Sequence, residues 1–105
     1  MTRELKKINA LEIYGKRWFQ KSFGNTYHSV TVYVNDEILR CDFCYGYGSQ
    51  YLQTAADLLI NAGYEVQTYY NDGTPKDSYI SLLDMLRADN DFFEKVTDVK
   101  RKKDL

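Results

Sequence analysis

The sequence predicts an α+β domain of order β-β-β-α-β-α-(β): an antiparallel three-stranded meander, then helix, strand, helix and a final edge strand. Three observations predict it. Two aromatic and β-branched runs flank Gly24-Asn25, a dipeptide suited to a hairpin turn because both residues accept positive φ. The hydrophobic period changes from two to 3.6 after Tyr45-Gly46-Tyr47-Gly48. A second helical period follows the turn signal Asn71-Asp72-Gly73-Thr74-Pro75.

The first strand is read over Leu11 to Phe23, interrupted at Gly15, and the second over Thr26 to Val34, with Val30, Val32 and Val34 on one face. Asn35-Asp36-Glu37 turns the chain into a third strand, where Leu39, Cys41, Phe43 and Tyr45 alternate with Arg40, Asp42 and Cys44. Consecutive strands of this kind pair most simply as a meander. Ser49 is a candidate N-cap for a helix whose apolar face is Leu52, Ala55, Ala56 and Leu59, and Gly63 is suited to end it. Tyr64 to Tyr70 reads as a strand. Thr74-Pro75 then opens a second helix reaching Ala88, with Tyr79, Leu82, Leu83 and Leu86 on one face. The last stretch is ambiguous. Asp91 with Glu94 would cap a short helix, whereas Val96-Thr97-Asp98-Val99 would form an edge strand before the basic tail, and the strand is favoured.

At 105 residues the chain is one domain, residues 1–105, large enough to bury a core without a metal or disulfide staple. Residues 1–8 and 101–105 are read as flexible ends. No apolar run approaches the roughly 20 residues needed to span a bilayer, and the polar start, Met1 to Lys7, has no signal-peptide core. A cytoplasmic location is expected, with Cys41 and Cys44 as reduced thiols and no membrane partner. The net charge of −1 hides an uneven distribution: +3 over residues 1–40, −7 over 41–94 and +3 over 95–105. That pattern argues against a strongly basic nucleic-acid wrapper but leaves local basic patches.

Ten Tyr, five Phe and one Trp are many for this length. Strand propensity accounts for part of the excess, and contact surfaces for another. Parity assigns Tyr27, Ser29, Thr31 and Tyr33 of the second strand to the face turned away from the valines, together with Ile38, Arg40 and Asp42 of the third. Phe43 and Tyr45 are assigned inward. In the first strand, unbroken alternation turns Tyr14, Lys16 and Trp18 to the open face. A bulge at Gly15 would instead present Arg17, Phe19 and Lys21 there and bury Trp18. The candidate binding residues are therefore Arg17, Trp18, Phe19, Lys21, Tyr27, Tyr33 and Arg40. Aromatic and cationic side chains on a sheet face serve protein contacts and single-stranded nucleic acids; a second layer of core beneath the C-terminal segment would use the same residues.

Catalytic signals are weak, and neither a catalytic residue, a metal site nor a cofactor is assigned. Cys41-Asp42-Phe43-Cys44 is a lone CxxC with only His28 as a further soft ligand, short of the four that structural zinc requires. Within a regular strand, i and i+3 point to opposite faces, which favours two separate structural thiols. His28 shares the parity of Val30 and reads as an inward, hydrogen-bonded histidine; an enzyme pairing it with a thiol is the least favoured reading. Gly46, Gly48 and Ser49 precede a helix and form a weak candidate anion site, lacking a phosphate-clamping lysine. Asp84, Asp89, Asp91 and Glu94 lack a calcium-loop pattern and read as a solvated face.

The stretches RWFQKSFGNTYHSVTVYV (Arg17 to Val34) and YGYGSQYLQTAADLL (Tyr45 to Leu59) resemble small, mostly uncharacterised proteins of bacteriophages and prophages. That resemblance implies no activity. It suggests an accessory protein, an inhibitor of a host protein or a defence-related component. The expectation is a non-enzymatic binding protein that contacts a host or phage protein through the aromatic and basic hairpin face. Nucleic acid is the alternative ligand, and a homodimer would employ the same surface.

Overall fold

A computed structural model describes residues 5–46, 48–88 and 92–105. Three strands, β1 (Leu11–Gln20), β2 (Asn25–Val34) and β3 (Glu37–Tyr45), precede two helices, α1 (Gln50–Asn61) and α2 (Ser78–Ala88), and a last strand, β4 (Phe93–Val99). They form one four-stranded sheet of order β3-β2-β1-β4, antiparallel except for the β1–β4 pair. The α+β class and the antiparallel meander are as the sequence predicts. The final strand also forms and runs parallel to β1.

β1 and β2 pair without a register shift from Leu11–Val34 to Gln20–Asn25. Gly15 is therefore not a bulge, and alternation continues through it. The hairpin loop is longer than the predicted dipeptide turn: Lys21 to Gly24 connect the strands, with the Gly24 amide donating to Gln20 O at 2.8 Å. Gly24 has φ 69°, while Asn25 is already the first residue of β2. At the other end Asn35 turns the chain at φ 51°. Its Oδ1 accepts the amides of Asn9 (2.8 Å) and Ala10 (3.1 Å), and its Nδ2 donates to Lys7 O. That clamp leads the N-terminal segment to the core, where Ile8 is buried.

α1 buries the predicted Leu52, Ala55, Ala56 and Leu59, and also Tyr51. It ends as Gly63 predicts: Tyr64 N–H donates to Leu59 O and Gly63 N–H to Ile60 O, capping carbonyls that the helix itself cannot satisfy. Ser49 stands at the N-cap but its side chain makes no capping bond. Its hydroxyl meets that of Tyr79 at 2.7 Å instead. The helices lie against one sheet face, where Leu11, Ile13, Val30, Val32, Val34, Leu59 and Leu82 are almost fully excluded from solvent. Each such side chain contributes about 1.5–3 kcal/mol through burial, so this layer dominates the stability of the fold.

Two expectations are corrected. Tyr64 to Tyr70 is not a strand; isolated bridges, Lys6–Tyr64 and Tyr69–Pro75, hold it. Polar bonding replaces a ladder: the Thr68 amide donates to Ser81 Oγ, and the Thr68 hydroxyl to Asp84. α2 begins at Ser78, later than Thr74-Pro75, because Thr74 closes a local turn by donating its amide and hydroxyl to Asp72 Oδ1. Tyr47, Asp89 and Asp91, named in the sequence readings, lie outside the described residues.

Candidate binding face of the sheet

With no bulge at Gly15, Tyr14, Lys16 and Trp18 share the face opposite the helices with Tyr27, Thr31 and Tyr33. A bulge does occur, but in β3. The register passes from Val30–Cys41 to His28–Cys44, so two residues, Asp42 and Phe43, stand opposite Ser29. The inward assignment of Phe43 and Tyr45 is therefore overturned. Beyond the bulge parity inverts: Cys44 turns to the helix face, and Phe43 and Tyr45 stand with Tyr27, 46% and 67% exposed. The expectation of separate thiols falls with it, since Cys41 and Cys44 now share a face and are joined as a disulfide, Cα to Cα 6.7 Å.

Two aromatic clusters result. Tyr27 is flanked by Trp18 on β1 (centroids 5.9 Å, 26°) and Phe43 on β3 (4.6 Å, 17°), with Tyr45 edge-on at 5.6 Å. At the other end Tyr14 meets Tyr33 edge-on and Phe93 of β4 at a tilt, each with centroids 5.8 Å apart. Burial, followed by the neighbouring Glu12, pushes the Tyr14 phenol above its ordinary pKa, so its hydroxyl stays protonated at neutral pH. Tyr14 and Tyr33 of this second cluster line a groove of about 430 Å³ together with Glu12, Lys16, Thr31 and Arg40. Arg40 is ion-paired with Asp42; both are exposed, and such a pair contributes about 1 kcal/mol or less, leaving the guanidinium available to a partner.

The C-terminal segment crosses the Trp18 end of this face. Lys102 Nζ lies 4.8 Å from the Phe43 ring centroid, which carries the chain from the β4 edge over to β3. Lys16, Lys100, Arg101 and Lys103 line a second groove of about 840 Å³ with Asp104, which pairs with Arg101, so the cations outnumber the side-chain anion at this rim.

Of the candidate residues, Trp18, Tyr27, Tyr33 and Arg40 are brought together on the open face. Lys21 stands exposed in the hairpin loop. Arg17 and Phe19 belong to the opposite parity. Arg17 donates from Nε to Asp98 (2.7 Å) and from Nη1 to Gly48 O (3.0 Å), and with Phe19 it lines a cleft of about 320 Å³ at the end of the sheet. Sequence reasoning missed Phe43, Tyr45, Phe93 and Lys102. The first two were hidden by the bulge and the others by the undetermined course of the last strand.

At the candidate anion site one backbone donor, the Gly46 amide, is taken up within the protein. Gly46 O accepts from His28, Gly46 N–H donates to Thr26 O, and Gly48 O receives Arg17. His28 is inward as parity predicts and 1% exposed. Its Nδ1 faces the Gly46 carbonyl at 3.2 Å and must carry the proton, so Nε2 accepts from the Thr54 hydroxyl at 2.7 Å. Burial lowers its pKa, partly offset by the Gly46 carbonyl. Among the described residues no group of three or more His, Cys, Asp or Glu side chains could hold a metal ion, and no helix is long and apolar enough to cross a membrane.

No family model, curated protein or solved structure matches this chain.

Proposed function

We propose that this is a non-enzymatic binding protein whose open sheet face docks on an acidic surface of a partner protein. The observation that carries the reading is a groove in which Tyr14 and Tyr33 stand with Lys16 and Arg40, on the same sheet face as the Trp18–Tyr27 cluster. Aromatic anchors beside arginine are the usual centres of protein interfaces, and the basic rim supplies complementarity to carboxylates. The geometry favours protein over single-stranded nucleic acid for a specific reason. Tyr27 has Trp18 on one side of its ring and Phe43 on the other, so it offers no free face for a base to stack on. The resemblance to phage proteins supports a host protein, in the host cytoplasm, as the partner, including a component of host defence.

The test is affinity capture from host lysate with and without nuclease, comparing the wild-type chain with the double variant Lys16→Glu, Arg40→Glu. Nuclease-resistant capture of a defined protein, lost in the variant, supports the reading; capture that disappears with nuclease overturns it. The nucleic-acid alternative draws on the rim of Lys16, Lys100, Arg101 and Lys103. It requires oligonucleotide binding by fluorescence anisotropy that weakens as salt is raised.

A further inference from the structure

We propose that the Cys41–Cys44 disulfide is a redox latch that decides which face of the sheet Phe43 and Tyr45 occupy. In a regularly alternating strand Cys41 and Cys44 point to opposite faces, and their sulfurs cannot bond. The one-residue register shift between Val30–Cys41 and His28–Cys44 puts both on the helix face. Bulge and cross-link thus require each other: a strand without the bulge cannot keep the bond, and the bond does not permit regular alternation.

The residues enclosed by the bond are Asp42 and Phe43, and Phe43 is the ring stacked on Tyr27 and overlain by Lys102. The latch therefore acts on the aromatic cluster itself. Two features make the second state accessible. β3 is an edge strand paired only with β2, so changing its register disturbs a single ladder. The sequence also alternates Leu39, Cys41, Phe43, Tyr45, which is the pattern of an unbulged strand with those four side chains inward.

Both cysteines are partly exposed, within reach of a dithiol reductant. Thiol–disulfide exchange then proceeds through a mixed disulfide. The protein S–S bond takes up two electrons and two protons and becomes two thiols, while the reductant closes to its own disulfide. Freed of the bond, β3 beyond Cys41 takes up regular pairing. Cys44 turns to the open face, Phe43 and Tyr45 turn inward, and Tyr27 keeps Trp18 but loses Phe43 as its second stacking partner. A disulfide that forms in a reducing compartment is usually transient or redox-sensing, the behaviour a switch of this kind requires. Its use in regulating partner capture rests on the proposed function; the switch itself does not.

The experiment compares the air-oxidised chain with the same chain in dithiothreitol, using thiol titration and aromatic nuclear Overhauser contacts. The oxidised protein is expected to titrate no thiols and to show Phe43–Tyr27 ring contacts. The reduced protein should titrate both cysteines and lose those contacts, and Cys44→Ser should reproduce the reduced pattern without reductant. Free thiols in the oxidised protein, or Phe43–Tyr27 contacts that survive full reduction, overturn the proposal; the wild-type measurement suffices should the variant not fold. A chain that switches but captures no acidic protein partner would refute the proposed function and leave the latch standing.

Discussion

The ring of Tyr51 fills the space above Gly15 where a side chain would otherwise stand. A Cβ at residue 15 would lie 2.6 Å from Tyr51 Cδ2 and 2.9 Å from Cγ, closer than carbon atoms can approach. β1 thus gives up a side chain at its centre so that α1 can sit close to the sheet. The Tyr51 hydroxyl passes on to donate to Glu94 of β4, and burial, followed by that carboxylate, pushes its pKa well up. One aromatic side chain thereby ties the first helix to the first and last strands.

Gly15→Ala should consequently destabilise the protein by about 1–3 kcal/mol, the usual range for overpacking, although glycine is intrinsically the weaker strand residue of the two. Urea unfolding would show a lower midpoint. In a Tyr51→Ala background the added methyl should cost much less, because the atoms it meets are gone; an unchanged penalty in that cycle would locate the strain elsewhere.

His28 predicts a pH dependence of stability. Its folded pKa lies below the ordinary 6.5 because burial opposes the imidazolium. Above that value both folded and unfolded states hold it neutral, and the stability is fully present. As the pH falls below about 6.5 the unfolded chain takes up a proton that the folded chain resists, so stability declines toward the folded-state pKa. Unfolding midpoints measured from pH 8 to pH 5 should fall in this window and flatten in His28→Gln. Glu37, Asp72 and Asp84, whose carboxyls are held below their ordinary values first by bonds from Lys6, Thr74 and Lys76 respectively, add a separate loss at more acid pH.

Tyr27→Ala should remove the middle ring of the Trp18–Tyr27–Phe43 cluster. Aromatic pairs contribute about 0.5–1.5 kcal/mol each beyond the area they bury, and three such pairs, with Trp18, Phe43 and Tyr45, vanish together. A red-shifted Trp18 emission and a loss of about 1.5–4.5 kcal/mol are expected. Emission unchanged from wild type would show that Trp18 is shielded by something other than Tyr27.

Asn35→Ala should release the N-terminal segment. Three hydrogen bonds from one side chain to Lys7, Asn9 and Ala10 disappear, and alanine is disfavoured at φ 51°. Asn35→Gly keeps the turn but not the clamp. Faster amide exchange over residues 6–10 in both variants, with the larger loss of stability in the alanine form, would separate the two contributions.

How far the sequence reaches can be read from single residues. Val30, Val32 and Val34 declare the buried face of β2 because alternation is a property of the local backbone. Leu52 to Leu59 and Gly63 declare α1 and its end for the same reason. Phe43 does not declare its side, since one extra residue in β3 reverses every parity after it, and nothing in Cys-Asp-Phe-Cys marks where an extra residue stands. The purpose of Gly15 is equally hidden. The glycine is visible, but the tyrosine that needs its space is supplied by a helix far along the chain. Arg17 reaches the open face only if Gly15 is a bulge, and the unbroken β1–β2 register places it instead on the helix side, bonded to Asp98 and Gly48.

The pairing of β4 with β1 has a consequence for the order in which the molecule is made. Residues joined across that ladder, such as Arg17 and Asp98, are 81 positions apart. At about 5–20 residues per second of synthesis, the β1 edge waits roughly 4–16 s for its partner. During that interval the β1–β3 meander presents an unfinished border able to recruit a strand from another nascent chain. The charged residues Glu12, Lys16 and Arg17 along β1 guard that border until β4 emerges, and substituting them with apolar residues should lower the soluble yield on expression more than it alters the melting temperature of the finished protein.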